Sequence, residues 1–311
     1  MYEIPVLFVF FNRKDVTLKA FERICQIKPA KLYLAQDGYR TNKGKQEADK
    51  ILEIRECVLG MIDWECEIKT LFRTQNVGCS AGVKTAIDWM FENEEYGIIL
   101  EDDCVAESSF WTFIQQLLIR YKDDQRIGMI AGYNPLDNIY TDASYTFSKY
   151  KACWGWATWK RAWRNMDIDM KWRDSEYAKS VINNMGGHGK DKNYWKYRLK
   201  AIDNNYVSAW DWQWYFSLAS QNQLTIFPLS NLICNIGFGE EATHTSGFAF
   251  SSSKASKDIT FPLKHPEYIL PNVVFDKKFY KYNNTTYNKI IQLIPFGLKT
   301  WLKKNNKALI R

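Results

Sequence analysis

The sequence predicts an α/β protein with a Rossmann-like, mostly parallel sheet flanked by helices. A second half is built onto the same sheet, and an amphipathic helical tail follows. Three observations carry this. Apolar runs alternate with helix-spaced stretches through the first third of the 311 residues, as in repeated β-α-β units. The run YGIILEDDCV (96–105) is a short apolar stretch, the signature of a buried parallel strand, that stops at three consecutive carboxylates, Glu101, Asp102 and Asp103. The last residues, 287–311, interleave large apolar side chains with lysines.

Taken in order, residues 4–11 form the first strand, and Leu18, Phe21 and Cys25 mark one face of a short helix. KLYLA (31–35) is the second strand, broken by Gln36-Asp37-Gly38. Ala48, Ile51, Leu52, Arg55, Val58, Leu59 and Ile62 follow helical spacing, with the stem of Arg55 lying along the stripe. Residues 68–72 form the third strand, and Val83, Ile87, Met90 and Phe91 the next helix, before the strand that carries the acidic triplet. Ser108-Ser109 are expected to cap a helix with Phe110, Phe113, Ile114, Leu117 and Tyr121 on its apolar face. IGMIAG (127–132) is another buried strand. From 133 to 261 the pattern loosens into loops rich in Trp, Tyr, Gly and Asn, with no clear linker or repeat. The expected organisation is a domain over 1–261, in halves 1–132 and 133–261, and a C-terminal extension over 262–311.

Composition narrows the partners. The net charge of +7 accompanies 35 acidic residues, and much of the Lys/Arg excess lies near the C-terminal end. That favours an anionic small ligand or a lipid surface over nucleic acid. Thirteen tryptophans, several clustered, suggest an apolar platform for flat ligands such as sugar rings or bases. Seven scattered cysteines without a C-x-x-C pair read as free thiols of a reducing compartment. No signal-peptide pattern precedes the first strand and no apolar stretch approaches a membrane span, so a cytoplasmic protein is expected. The sequons at Asn283 and Asn284 then carry no meaning.

In open α/β sheets the ligand crevice lies beyond the carboxyl ends of the strands. Three carboxylates there repel one another unless a cation sits among them. The motifs PVLFVFFNR (5–13), QDG (36–38), RTQNVG (73–78) and ILEDD (99–103) occur in this order. Together they resemble a GT-A nucleotide-sugar glycosyltransferase, and the triplet resembles the EDD form of the D-x-D motif in the Golgi N-acetylglucosaminyltransferase I family. CWGWATWKRAW (153–163), WDW (210–212) and NIGFGEEATHT (235–245) resemble bacterial relatives of that family. The resemblance covers about four-fifths of the chain, and its strength lies in the ordered set.

It implies a nucleotide-sugar donor, UDP-GlcNAc or UDP-Gal first, and Mn²⁺ or Mg²⁺ bound by few protein ligands so that phosphate oxygens complete its shell. Asp103 would touch the metal. Asp102 and Glu101 would face the ribose, the sugar hydroxyls or metal-bound water. Asp37 would accept the uracil N3–H, its alternative being an Asp-Gly turn. Phe11, Asn12 and Arg13 would line the base and phosphate side, with Arg73, Asn76 and Gly78 near the nucleotide at the following helix start. A late histidine in such enzymes is often a further metal ligand, which selects His244; Glu240 and Glu241 beside it would contact sugar or solvent. His188, in GGHGK (186–190), marks a loop able to close over the donor, and His265 carries no signal. Of Trp154, Trp156, Trp159 and Trp163, some are core and some would form a wall against the acceptor sugar.

Asp211, flanked by Trp210, Trp212 and Trp214, is the expected catalytic base of an inverting transfer; its alternative is a helix cap. The acceptor would be a saccharide or lipid-linked saccharide of bacterial surface-glycan assembly. The tail, carrying Ile290, Leu293, Leu298 and Trp301 among Lys289, Lys299, Lys303, Lys304 and Lys307 and divided by Pro295, reads as lying on an anionic membrane or docked on its own domain. Two rival functions remain. A sugar nucleotidyltransferase would want a Gly-rich phosphate loop after the first strand, where this chain has FFNRKDVTLKA. A non-catalytic saccharide-binding protein would have no reason to keep the whole triplet, Asp37 and the aspartate of WDW.

Overall fold

The structure, a computed structural model, describes residues 1–137, 139, 141–186, 191–237 and 254–305. Its first four strands, β1 (Val6–Phe10), β2 (Lys31–Gln36), β3 (Glu67–Phe72) and β4 (Tyr96–Glu101), are those the alternation predicts. They are joined by helices α1 (Lys14–Ile27), α2 (Gly44–Gly60) and α3 (Cys79–Asn93), and pair in parallel in the order β3-β2-β1-β4. Both faces of β1 are covered. Val6, Phe8 and Phe10 pack with Phe21 and Ile24 of α1 and Ile54 and Val58 of α2. Leu7 turns the other way, into a cluster with Val83, Ile87 and Met90 of α3. Burial on both sides is why β1, β2 and β4 read as continuous apolar runs, whereas β3, at the sheet's edge, is largely exposed. The chain runs outward from β1 to β3 and then returns to β1's other side for β4. The sheet's switch point therefore lies between β1 and β4, where an open α/β sheet binds its ligand.

The second half holds more regular structure than the loosened pattern suggests. It comprises β5 (Cys104–Ala106), α4 (Ser108–Arg120), β6 (Ile127–Ala131), β7 (Tyr145–Ser148), β8 (Trp156–Trp159), α5 (Lys160–Trp163), α6 (Ala178–Asn183), α7 (Asp191–Asp203), α8 (Asp211–Ser220), β9 (Leu224–Pro228) and β10 (Ile233–Asn235). The main sheet continues β4-β8-β6-β9-β7, with β8 antiparallel to both its neighbours. WATW makes a strand because both its faces are core, Trp156 in one cluster and Trp159 in the other. Four residues buried on both sides leave no alternation to read. The sheet thus has eight strands, mostly in one direction and flanked by helices, as expected for the class.

The expected Ser108-Ser109 cap is not formed. Glu107 occupies the N-cap of α4 without a side-chain bond. The Ser109 N–H instead donates to Asp258 Oδ1 at 2.7 Å, and Ser109 Oγ accepts the Ile259 N–H at 2.9 Å. A carboxylate 149 residues away caps the helix and clips the C-terminal segment to it.

That segment continues into α9 (Val273–Asn283), α10 (Thr286–Leu293) and α11 (Phe296–Asn305). Asn272 caps α9 by accepting the Val274 and Phe275 N–H groups, and Phe275 and Phe279 join Phe227 and Tyr150 in a third cluster. Pro295 separates α10 from α11. Phe296 of α11 stacks on Tyr197 of α7 at 5.3 Å between centroids, and Lys299 donates to the Tyr197 hydroxyl at 2.7 Å. Among the described residues no helix is long and apolar enough to cross a membrane. All seven cysteines are unpaired.

Candidate active site

A cavity of about 700 Å³ opens at the carboxyl ends of β1, β2 and β4. Every predicted site residue that the structure describes lines it: Phe11, Asn12, Arg13, Asp37, Arg73, Asn76, Gly78, Glu101, Asp102, Asp103 and Asp211. His244, Glu240, Glu241 and His188 lie outside the described residues.

The triplet stands where β4 ends. Glu101 is its last residue, and Asp102 and Asp103 make the turn into β5. Arg13, just before α1, sits across the turn. Its Nη2 pairs with Asp102 and donates to Asp103 Oδ2 at 3.0 Å. One guanidinium thereby offsets the repulsion of two carboxylates. Burial pushes Asp102 up to about 6 against the pull of Arg13. Glu101 is held well above the carboxylate range by burial and by the charges of Asp103, Asp102 and Asp211.

Strand β10 pairs antiparallel with β5, aligning Asn235 with Cys104. Asn235 Nδ2 donates to Asp103 Oδ1 at 3.0 Å, and the Ile236 N–H to the Asp103 carbonyl at 2.9 Å. Gly237 follows so closely that a Cβ there would meet Asp103 Oδ2 at 2.1 Å and Arg13 Nη1 at 2.7 Å. The sequence singles out this segment but not Asn235, whose role depends on the β5–β10 pairing.

On the β2 side, Asp37 accepts four backbone contacts, from Gly38 N–H at 2.9 Å and from Val77 (twice) and Gly78 N–H at 3.1 Å. Its carboxylate therefore joins the end of β2 to the start of α3, with limited lone-pair capacity left over. Asn76 Nδ2 donates to the Gly38 carbonyl at 3.0 Å, and Arg73 Nη2 to Thr85 Oγ1 at 2.6 Å. Glu47, which sequence reasoning passed over, is a buried organiser. It accepts Asn12 Nδ2 at 3.0 Å and the Arg40 N–H at 2.7 Å, and it pairs with the Arg40 guanidinium. That guanidinium lies 5.4 Å from the centre of the Phe11 ring.

Asp211 approaches from the other side as the first residue of α8, whose N-cap is Trp210. Burial pushes its carboxyl up to about 6, opposed by the N–H groups of Trp212 and Asp211 and by the Arg198 charge. Trp156, Trp159 and Trp163 are core, whereas Trp154 is half-buried and lines the cavity beside Tyr133, their rings 4.6 Å apart. The far wall adds Arg198, Trp212 and, from α9, Phe279 and Tyr282.

Among the described residues no three His, Cys, Asp or Glu side chains are grouped to hold a metal. The donors that do face the cavity are hard oxygens at one end of it, Asp103 foremost. That set does not make an all-protein cage; it suits an ion such as Mg²⁺ or Mn²⁺ that shares its shell with the phosphates of a ligand.

No protein-family model and no curated protein matches the chain. Among solved structures, it is similar to a mannosyltransferase from Pyrobaculum calidifontis in complex with GDP-Man and Mn²⁺, at 9% identity and a TM-score of 0.31. That match covers 51% of this chain and 45% of the mannosyltransferase, less than half its length. It is similar to the glycosyltransferase GlyE of Streptococcus pneumoniae over 98% of this chain and 64% of that one, at 12% identity and a TM-score of 0.31. An apo UDP-glucose pyrophosphorylase is similar over 74% of this chain and 93% of its own, at 7% identity and a TM-score of 0.35.

Proposed function

We propose that this chain is a metal-dependent GT-A glycosyltransferase, a bacterial relative of the Golgi N-acetylglucosaminyltransferase I family. It moves a sugar from a nucleotide donor, UDP-GlcNAc or UDP-Gal first, to a saccharide or lipid-linked saccharide, with inversion. One observation carries the reading: a single cavity joins Asp37, the acidic turn and Asp211, residues from three distant parts of the chain, to an aromatic wall.

In this reading the base lies over Phe11 and near Asp37, which accepts the uracil N3–H. Asp103 holds Mn²⁺ or Mg²⁺, with His244 as a further ligand. The metal, when bound, neutralises the charge that grows on the leaving diphosphate. Arg13 then keeps Asp102 ionised and turned toward the ribose, and Arg73 and the start of α3 with Asn76 and Gly78 attend the phosphates. Asp211 accepts the proton of the attacking hydroxyl while the aromatic wall excludes water.

UDP with Mn²⁺, at about 100 times its dissociation constant, is expected to stabilise the protein by about 2.7 kcal/mol in a thermal-shift assay. No shift with UDP or another nucleoside diphosphate would remove the reading. A sugar nucleotidyltransferase would instead release pyrophosphate from UTP and a sugar 1-phosphate.

The tail is assigned to an anionic membrane surface. Phe296 and Lys299 of α11 are docked on α7, but Ile290, Leu293, Leu298 and Trp301 remain 48–82% exposed. Replacing Leu293 and Leu298 by Glu leaves the docked residues in place. It is expected to weaken sedimentation with phosphatidylglycerol vesicles at low salt by at least about tenfold. If the unaltered protein fails to sediment, the tail serves docking alone.

A further inference from the structure

We propose that the part of the cavity beyond Asp211 is a subsite for an anionic group of the acceptor, a carboxylate or a phosphate, held by Arg198 and Lys151. This deepens the glycosyltransferase reading and rests on it for the word acceptor. The subsite itself rests on the geometry.

Five basic side chains line the cavity: Arg13, Arg40, Arg73, Lys151 and Arg198. On the β1 to β3 side their partners are accounted for. Arg13 holds Asp102 and Asp103, Arg40 holds Glu47, and Arg73 holds the Thr85 hydroxyl. On the far side the pattern changes. Among the described residues neither Lys151 nor Arg198 has a carboxylate within ion-pair distance.

Lys151 is 6% exposed, and its Nζ is buried without a hydrogen-bond partner. Asp276 bears on its charge from a distance, but that carboxylate accepts the Ser148 hydroxyl at 2.5 Å. Burial draws the Lys151 amine down to about 7, so an arriving anion would restore its full charge.

Arg198, on α7, is held flat. Its guanidinium carbon lies 4.7 Å from the centre of the Tyr194 ring and 4.5 Å from that of Trp212, and Nη2 donates to the Tyr194 hydroxyl at 2.7 Å. Its Nε is buried with no partner. A permanently charged fork, held against two rings and left with an unused donor, is prepared for a planar or tetrahedral oxyanion. The buried Lys151 ammonium without a partner is otherwise unfavourable, and an anionic ligand relieves it.

The placement ties the subsite to the reaction. Trp212, which stacks on Arg198, follows Asp211 directly, and the Arg198 charge bears on the Asp211 carboxyl. An anion there would sit close to the hydroxyl that Asp211 deprotonates. Trp154 and Tyr133 offer flat faces for the intervening sugar.

The test compares matched pairs on the full chain by tryptophan fluorescence, with and without saturating UDP and Mn²⁺. One pair is methyl β-glucuronide against methyl β-glucoside. The other is farnesyl diphosphate against farnesol in detergent. At least one anion is expected to bind about tenfold or more tighter than its neutral twin, additively with UDP, and the preferred pair identifies the source of the charge. R198Q and K151M are each expected to lower that preference about 10- to 100-fold with unchanged UDP affinity, and R198K to retain part of it. If R198Q does not fold, K151M and R198K decide. No preference for either anion, a preference abolished by UDP, or one unchanged in the variants would overturn the proposal. Absence of UDP binding with the anion preference intact would remove the glycosyltransferase reading and leave the subsite standing.

Discussion

Asp211→Asn is expected to lower kcat by about 10²–10⁴ while donor binding survives. Direct displacement at an anomeric carbon needs a group to take the proton of the incoming hydroxyl as the new bond forms. Asp211 is a carboxyl lining the cavity, not engaged by Arg13, and burial lifts it to about 6. A base of that strength is ionised at neutral pH yet still worth protonating. The rate is therefore expected to rise through about pH 6 to a plateau, since the charged form does the work, and the asparagine variant should lose this acidic limb.

Stability should move the other way. A folded pKa above the unfolded value means stability that is present below about pH 4 and lost as pH rises through about 6. Asparagine removes that loss and can still serve the start of α8. The variant is thus expected to be more stable than the parent at pH 7, by about 1–3 kcal/mol. Near-normal turnover, or a clear loss of stability, would return Asp211 to a purely structural role.

Asp103→Ala is the second large effect. It is expected to weaken Mn²⁺-dependent donor binding by at least about 10²-fold in calorimetry, more than the loss of an outer-shell partner. The residue sits in a turn at the end of β4, outside the core clusters, so the fold should persist. Removing it leaves Arg13 with Asp102 and takes away the carboxylate to which Asn235 Nδ2 donates. Metal-independent UDP binding should survive through the β2 side of the cavity. Donor affinity unchanged in the presence of Mn²⁺ would end the assignment of Asp103 as a ligand.

The parts of the site that lie at strand ends could be read from the chain because their strands are buried on both faces. Leu34 and Ala35, or Ile98 and Ile99, are equally inside, so the run ends visibly just before Asp37 or at Glu101. The rest depends on pairings that no local pattern encodes. Asn235 reaches Asp103 through β5 and β10, and Glu47 reaches Asn12 from α2. Arg198 and Lys151 come to line one cavity only once α7 and the segment after β7 have packed. The tryptophans make the same point. Trp154 faces the cavity and Trp156 the core because Gly155 between them turns through φ +56°, and a Cβ there would strike Ile233 at 2.4 Å. Composition marks the cluster, and only the turn assigns its members.

Helix α9 has a consequence for the order in which a growing chain acquires its parts. Strands β1 to β4, with Asp37 and the triplet, lie within the first 103 residues, and neighbours in sequence are largely neighbours in the sheet. The chain is synthesised from the N-terminal side. Phe279, Tyr282 and Asn283, which close the far wall, arrive about 180 residues later. The far wall is therefore the last part of the cavity to be synthesised, long after Asp37 and the acidic turn.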